Sequence, residues 1–219
     1  MDDNGKTTQI LYIKRITGIV RAEDVSRSFD KEAVEYNGVS QVNWGNYPYR
    51  PEVKFRIAHD GLHIYLNWLV SEAEIKAVCD RDGGEVWKDS CVEFFISFKE
   101  QVYYNIECNC IGKILAGTGT GRNNRTPVAD KETGKIKRWA SLGNSPVEGK
   151  SGQWELSLIL PKSLFYPDPV GTFDRLSAKG NFYKCGDDLR QPHFLSWSAI
   201  KNETPNFHLP EYFGKLKFE

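Results

Sequence analysis

Apolar and polar residues alternate along most of this chain, and this alternation constrains the fold more than any other feature. Successive side chains of a β-strand point to opposite faces, so a period of two predicts strands that bury one face. Residues 53–57 and 62–70 show the pattern on either side of Asp60-Gly61, which predicts a hairpin. Further strands are predicted near residues 9–16, 91–98, 102–110, 112–116, 136–142, 154–160, 179–185, 193–198 and 213–218.

Helical patterns are few. One helix is predicted over 22–36, where Val25, Phe29 and Ala33 share a face, and a turn is predicted over 162–165. No rhythm of strand, helix and strand is present. We therefore predict an all-β fold, an antiparallel β-sandwich of jelly-roll type with one or two short helices.

The length of the chain suits one domain. A chain of 219 residues buries roughly 70% of the surface that its unfolded form exposes, enough for a core without disulfide or metal support. We predict a single domain over 1–219, with 1–8 as a flexible tail. The glycine-rich stretch 117–125, running on to Gly134, is predicted to be a long surface loop within that domain.

The charge balance argues against several partners. Lys and Arg number 29 and Asp and Glu also 29, so the chain lacks the basic surface of nucleic-acid and membrane-surface proteins, and we predict neither partner. No apolar run approaches the about 20 residues of a spanning helix. The first residues lack the pattern of a signal peptide, which predicts a cytoplasmic protein, or an extracytoplasmic one if a leader has been removed. The oligomeric state is left open.

Five cysteines are present, an odd number without CxxC spacing. This predicts free buried thiols rather than a disulfide framework or a zinc knuckle. The cysteines are Cys79, Cys91, Cys108, Cys110 and Cys185.

The predicted hairpin of 91–98 and 102–110 has a chemical consequence. Keeping its apolar faces together requires Phe98 opposite Val102, and this register places Glu93 opposite Glu107. Opposed like charges cost stability unless a cation, a basic side chain or a ligand lies between them. The face is therefore either a functional surface or a solvated outer face with Lys and Arg interleaved.

The six tryptophans separate by position. Trp68 and Trp154 are in phase with apolar neighbours and are predicted core residues. Trp44, Trp87, Trp139 and Trp197 lie in turns, near strand ends or out of phase, and suit packing and a ligand platform equally well. An exposed indole near carboxylate, amide and guanidinium groups is suited to a pyranose ring, which presents flat C–H faces and paired hydroxyls.

Other chemistries find less support. The glycines of 117–121 are not followed by the Lys-Ser/Thr of a phosphate loop, the histidines lack metal-site spacing, and no GxSxG motif is present. A glycoside hydrolase needs two carboxylates about 5 to 9.5 Å apart, which Glu93 and Glu107 could supply, so hydrolysis stays as the alternative. A protein-interaction domain with an aromatic surface is the third reading.

Several segments, taken together, resemble the family-nine carbohydrate-binding modules. They are 86–96, which contains Trp87-Lys88-Asp89-Ser90-Cys91-Val92-Glu93, and 103–107, 154–161 and 180–184. The resemblance implies a non-catalytic β-sandwich, linked to polysaccharide degradation, that holds a mono- or oligosaccharide between two tryptophans.

The resemblance also implies roles for individual residues. Trp87 would be the first platform and Trp197 the second, with Glu93 and Asn181 binding sugar hydroxyls. Arg138 or Arg122 would supply a basic partner.

Calcium is the cofactor that the resemblance suggests. Asp89 and Glu107 are the first candidate ligands. The haem-binding relatives of this fold are disfavoured, because Met1 is the only methionine and a His/Met axial pair needs another.

Overall fold

A computed structural model describes residues 8–99, 101–166 and 171–219. The strands are β1 Ile10–Arg15, β2 Asn37–Gly38, β3 Gln41–Val42, β4 Glu52–His59, β5 His63–Ala77, β6 Cys91–Ser97, β7 Tyr103–Asn109, β8 Ile114–Gly121, β9 Asn124–Pro127, β10 Lys137–Ala140, β11 Val147–Pro161, β12 Ser177–Cys185, β13 Phe194–Ser196 and β14 Gly214–Phe218. The α-helices are α1 Val25–Lys31 and α2 Asp130–Thr133. Apart from Thr8, the predicted tail lies outside the described residues.

The strands form two packed layers. One layer has the order β10-β11-β5-β4 and the other β14-β12-β6-β7-β8-β9, and β1 pairs with both β4 and β14. These two pairings of β1 are parallel, whereas the pairs within each layer are antiparallel. The predicted β-sandwich is confirmed, with β1 as a parallel strand that joins the layers.

Aromatic side chains fill the space between the layers. The Phe55 and Phe182 rings, one from each layer, stack with centroids 3.7 Å apart. Trp68 and Trp154 are each 1% exposed, which confirms their predicted core positions. The alternation of apolar residues along β5, β6, β11 and β12 thus supplies a core that extends across both sheets.

Helix α1 is shorter than the predicted 22–36. Val25 and Phe29 are buried as expected, but Ala33 is exposed and lies beyond the end of the helix. Its φ of 52° is in the left-handed region, and the Val34 amide donates back to the Phe29 carbonyl at 2.9 Å. This backbone reversal ends the helix. The predicted turn over 162–165 is a 3-10 helix.

The predicted surface loop at 117–125 is wrong, because β8 and β9 pair there as a hairpin. Glycine weakens strands in general, but here its missing side chain permits a close approach. A Cβ at Gly119 would collide with the Asn124 carbonyl oxygen and lie 2.8 Å from the Arg125 Cα. All five cysteines are free thiols, as predicted, but only four are buried and Cys79 is partly exposed. Among the described residues, no helix is both long and apolar enough to cross a membrane.

Candidate functional site

The hairpin of β6 and β7 has the register that the alternation predicts, with Glu93 opposite Glu107. Both side chains point away from the core, yet they are only 4% and 3% exposed. The segment after β12 lies over this face and leaves an open cavity above the two carboxyl groups. The cavity volume is about 110 Å³, below the roughly 300–1,000 Å³ typical of small-molecule sites.

The floor of the cavity is formed by Glu93, Glu107 and Cys185. Glu107 Oε1 accepts hydrogen bonds from the Asn105 amide at 2.8 Å and from Arg125 at 3.4 Å. Glu93 Oε1 accepts a hydrogen bond from the Cys185 thiol at 3.1 Å. The floor therefore combines two carboxyl groups that are held in place by neighbouring donors.

Burial controls the charge of this floor. It raises the pKa of Glu107 to about 7, against the opposing effect of the Arg125 guanidinium. Burial, and then the neighbouring Glu107, raise the pKa of Glu93 well above its ordinary value. Both shifts favour the protonated form of the carboxyl groups, so the floor can both donate and accept hydrogen bonds.

The Arg125 side chain reaches the floor because β8, the strand between Arg125 and Glu107, carries glycine. It lies on β9 opposite Gly119, and Glu107 lies opposite Leu115 on the other edge of β8. Gly117 and Gly119 have no side chain to block the outer face of β8, so the guanidinium extends across it to Glu107. The glycine-rich stretch thus positions a cation beside the opposed carboxyl groups.

The walls of the cavity include aromatic rings. Trp87 lies in the 3-10 turn Val86–Lys88, is partly exposed, and lines the cavity together with Phe194 and Phe207. The Phe207 ring is held by stacking on Tyr183, with centroids 4.2 Å apart and planes 9° apart. The cavity is therefore bordered both by apolar ring surfaces and by a polar floor.

Three further charged or titratable residues line the cavity. Burial raises the pKa of Asp187 to about 6, and the Arg122 guanidinium opposes the shift. Burial, and then Arg125, lower the pKa of His208 to about 3, and its Nδ1 lies 2.8 Å from the Tyr103 hydroxyl. The imidazole is therefore neutral at physiological pH.

Of the predicted platforms, only Trp87 lines the cavity. Trp197 is 3% exposed and belongs to the core between the layers, where it meets the edges of the Phe55 and Phe182 rings. The prediction that Trp197 forms a second wall is corrected: apolar packing against Gly214 and the two phenyl rings buries its faces. Phe194 and Phe207 are the further aromatic residues at the cavity.

Asn181 and Arg138 are also placed away from this cavity. The fully buried Asn181 side chain donates to the Ser198 carbonyl at 3.0 Å and accepts from the Ser198 and Phe182 amides, so its hydrogen bonds hold the chain after β13. Arg138 lies on β10 in the other layer and forms two hydrogen bonds with Asp82, at 2.7 and 2.9 Å. Arg122, the alternative basic partner, does line the cavity.

The candidate calcium ligands do not fit a calcium ion. The Asp89 carboxylate accepts hydrogen bonds from the Val78 and Cys79 amides at 3.0 Å and from the Asn109 side chain at 2.9 Å. Glu107 is engaged by an amide and a guanidinium. Calcium needs six to eight oxygen ligands, whereas both Asp89 oxygens and Glu107 Oε1 already accept hydrogen bonds from nitrogen donors.

Sequence reasoning did not assign Arg125, Cys185, Asp187 or Phe207 to the site. Two of them were accessible from alternation. Cys185 follows Tyr183 by two residues and so shares its face, and Arg125 lies on the face of the paired glycines once β8 and β9 are recognised as a hairpin. The position of Phe207 depends on how a loop folds back, for which the sequence gives no comparable signal.

Comparison with known proteins gives a consistent result. A family model described as carbohydrate-binding family 9 matches residues 23–218. The crystal structure of a Bacteroides uniformis protein, named as a candidate carbohydrate-binding protein, is 44% identical, with a TM-score of 0.93 over 97% of this chain and 100% of that one. No curated protein matches the sequence.

Two more distant structures share the fold. Both are family 9 carbohydrate-binding modules from Caldicellulosiruptor kristjanssonii. The one in complex with glucose is 13% identical, with a TM-score of 0.60 over 96% of each chain. The one in complex with cellotriose is 14% identical, with a TM-score of 0.57 over 96% of this chain and 94% of that one. The chain belongs to carbohydrate-binding family 9.

Proposed function

We propose that this chain binds a mono- or oligosaccharide in the cavity bounded by Trp87, Glu93 and Glu107, without chemical change to the sugar, and that this ligand comes from polysaccharide breakdown. Family membership supports carbohydrate binding as the function class, and modules of the same fold are known in complex with glucose and cellotriose. The observation that carries the proposal is that the Trp87 indole and the Glu93 carboxyl group line one open cavity.

Each part of the cavity has a role in this proposal. The indole of Trp87 packs against the C–H face of a pyranose ring, and the rings of Phe194 and Phe207 add apolar wall. Glu93 and Glu107 take sugar hydroxyls at the floor. The guanidinium groups of Arg122 and Arg125 can each take adjacent hydroxyl oxygens in pairs, because their N–H groups form a planar fork.

The proposal is tested by Trp87→Ala. Loss of a central aromatic contact typically costs at least about 2 kcal/mol, so we expect sugar affinity to fall at least about 30-fold in calorimetric titration. The melting temperature should change little, because the ring is partly exposed. Trp139→Ala is the matched control, since Trp139 is also partly exposed but lies on β10 in the other layer.

Unchanged affinity of the Trp87→Ala variant would refute this site. A glycan array identifies the sugar to be used in the titration. If no glycan binds and the protein instead associates increasingly as its concentration is raised, the aromatic surface serves protein interaction rather than sugar binding.

Hydrolysis is the second candidate, favoured by two buried carboxyl groups whose pKa values are raised within one cavity. It predicts that the purified protein releases reducing sugar from a polysaccharide and that Glu107→Gln stops the release. An inactive protein that still binds sugar would leave only the binding proposal.

A further inference from the structure

Two cysteines converge on Glu93 at the floor of the cavity, and the proposed sugar contacts do not use them. Cys91 and Glu93 are two residues apart on β6 and share a face, and Cys185 on β12 lies directly opposite Cys91. The Sγ atoms of Cys91 and Cys185 and one carboxylate oxygen of Glu93 all lie within 4.8 Å of one another. The strand register therefore enforces a cluster of three ligand atoms.

We propose that Cys91, Cys185 and Glu93 bind a thiophilic divalent cation of the zinc class, with a fourth coordination position open to the cavity. This site shares Glu93 with the proposed sugar site, but the proposal of a metal does not rest on sugar binding. Cys185 and Glu93 line the cavity, whereas Cys91 is fully buried behind them, so an ion would enter from the solvent side.

The spacing suits a small tetrahedral ion. Zinc binds thiolate sulfur at about 2.3 Å and carboxylate oxygen at about 2.0–2.2 Å, so neighbouring ligand atoms lie roughly 3.5–3.8 Å apart. In this cluster the Cys185 Sγ is 3.1 Å from Glu93 Oε1, and no pair exceeds 4.8 Å. Small side-chain rotations would close the site without movement of the strands.

The donor set selects the class of ion. Two thiolates favour zinc and similar soft ions, whereas calcium and magnesium prefer oxygen ligands. The thiols make weak hydrogen bonds, from Cys91 to the Val92 carbonyl at 3.7 Å, from Cys185 to the Trp87 carbonyl at 3.5 Å and with each other, besides the bond from Cys185 to Glu93. They are therefore free to change partner.

Electrostatics also favour a cation here. Glu93 and Glu107 are directly opposed, and the Arg125 guanidinium lies 3.4 Å from Glu107 Oε1. On binding, two thiol protons and one carboxyl proton pass to solvent and a divalent ion takes their place, which leaves the cluster with a net charge of minus one.

Cadmium titration of the reduced, metal-free full chain tests the site. We expect one equivalent to produce the ultraviolet charge-transfer absorption of a cadmium–thiolate bond. Cys91→Ala and Cys185→Ala should each abolish it, whereas Cys79→Ala should retain it because Cys79 lies outside the cluster. Absence of the band, or its persistence in Cys185→Ala, would overturn the proposal.

A measurement on the unaltered protein covers the case in which these variants do not fold. Zinc should slow alkylation of Cys185 at least about tenfold, as followed by peptide mass analysis, and leave alkylation of Cys79 unchanged. Equal rates at Cys185 with and without zinc would exclude the site. Trp87→Ala should lose sugar affinity and keep the cadmium band, so the two proposals can fail separately.

Discussion

Two polar clusters lie on opposite faces of β12, and they differ in how their charges are compensated. The inner cluster lies between the layers, where Lys184 Nζ is 2.8 Å from Glu72 Oε2 and 2.8 Å from His193 Nε2. Trp154 Nε1 donates to Glu72 Oε1 at 2.6 Å. Each charged group in this cluster has an opposite charge or a neutral hydrogen-bonding group beside it, and the cluster is closed to solvent.

The outer cluster lies on the other face of the same sheet and is open to the cavity. Glu93 and Glu107 face each other beneath a cavity, with Arg125 as the cation that contacts Glu107. Buried polar groups that are fully paired specify a core, whereas partly compensated titratable groups at a cavity are typical of binding sites. We therefore expect the inner cluster to contribute to stability and the outer one to ligand binding.

Breaking the inner cluster should have the largest effect. Lys184→Met leaves the Glu72 carboxylate buried without its cation, which typically costs about 3–5 kcal/mol of unfolding free energy. Denaturant unfolding measures the loss. Adding Glu72→Gln should recover part of it, because an amide can still accept from Trp154 and carries no charge. A single variant as stable as the parent protein would contradict this role for the ion pair.

The two tryptophans sharpen the same comparison. Trp197 is in the core, so Trp197→Ala should cost about 3–5 kcal/mol in thermal or denaturant unfolding. Trp87→Ala should cost far less and should be the variant that loses sugar affinity. A stable Trp197→Ala variant would mean that the indole does not belong to the core.

The glycine-rich hairpin links stability to the site. A Cβ at Gly119 meets the backbone of β9, so Gly119→Ala should cost about 1–3 kcal/mol. It should also weaken sugar binding, because β9 carries Arg125. Gly121→Ala is the matched control, since a Cβ there meets nothing within 4 Å. Equal effects of the two substitutions would show that close approach at Gly119 does not position Arg125.

The sequence was sufficient for features that depend on one hairpin. Alternation predicts the pairing of β6 with β7, and with it the opposed carboxyl groups, because a slip of one residue would expose the apolar face. Trp87 could be placed near Glu93 because only a short turn separates it from β6. These are local consequences of a period of two.

The sequence analysis assigned three residues wrongly to the cavity, because their positions depend on long-range packing. Asn181 does share the face of Glu93, but the segment at Ser198 covers it and takes its hydrogen bonds. Trp197 sits near a strand end, a position that suits exposure and burial equally until the opposing layer is known. Arg138 reaches Asp82 across a contact that spans 56 positions of sequence. Alternation along one strand carries no information on which loop covers its face.

Acid should affect the two clusters in opposite directions. Burial, and then Lys184, lower the pKa of His193 to about 3. Its unfolded form titrates near 6.5, so below that pH the unfolded chain takes up a proton that the folded protein refuses, and stability falls. Glu107, with a folded pKa of about 7, binds a proton before the unfolded chain does near 4.5, so stability rises as pH falls through 7.

Each group should change the unfolding free energy by about 1 kcal/mol or less between pH 7 and pH 6. Chemical unfolding of the sugar-free protein in the presence of a chelator measures the dependence. His193→Gln removes the loss of stability on acidification, so this variant should be stabilised more by acid, or destabilised less, than the parent protein. Glu107→Gln removes the gain, so this variant should be stabilised less by acid, or destabilised more, than the parent protein. If both substitutions shift the dependence in the same direction, the closed inner cluster and the open outer cluster do not differ in charge compensation as the structure indicates.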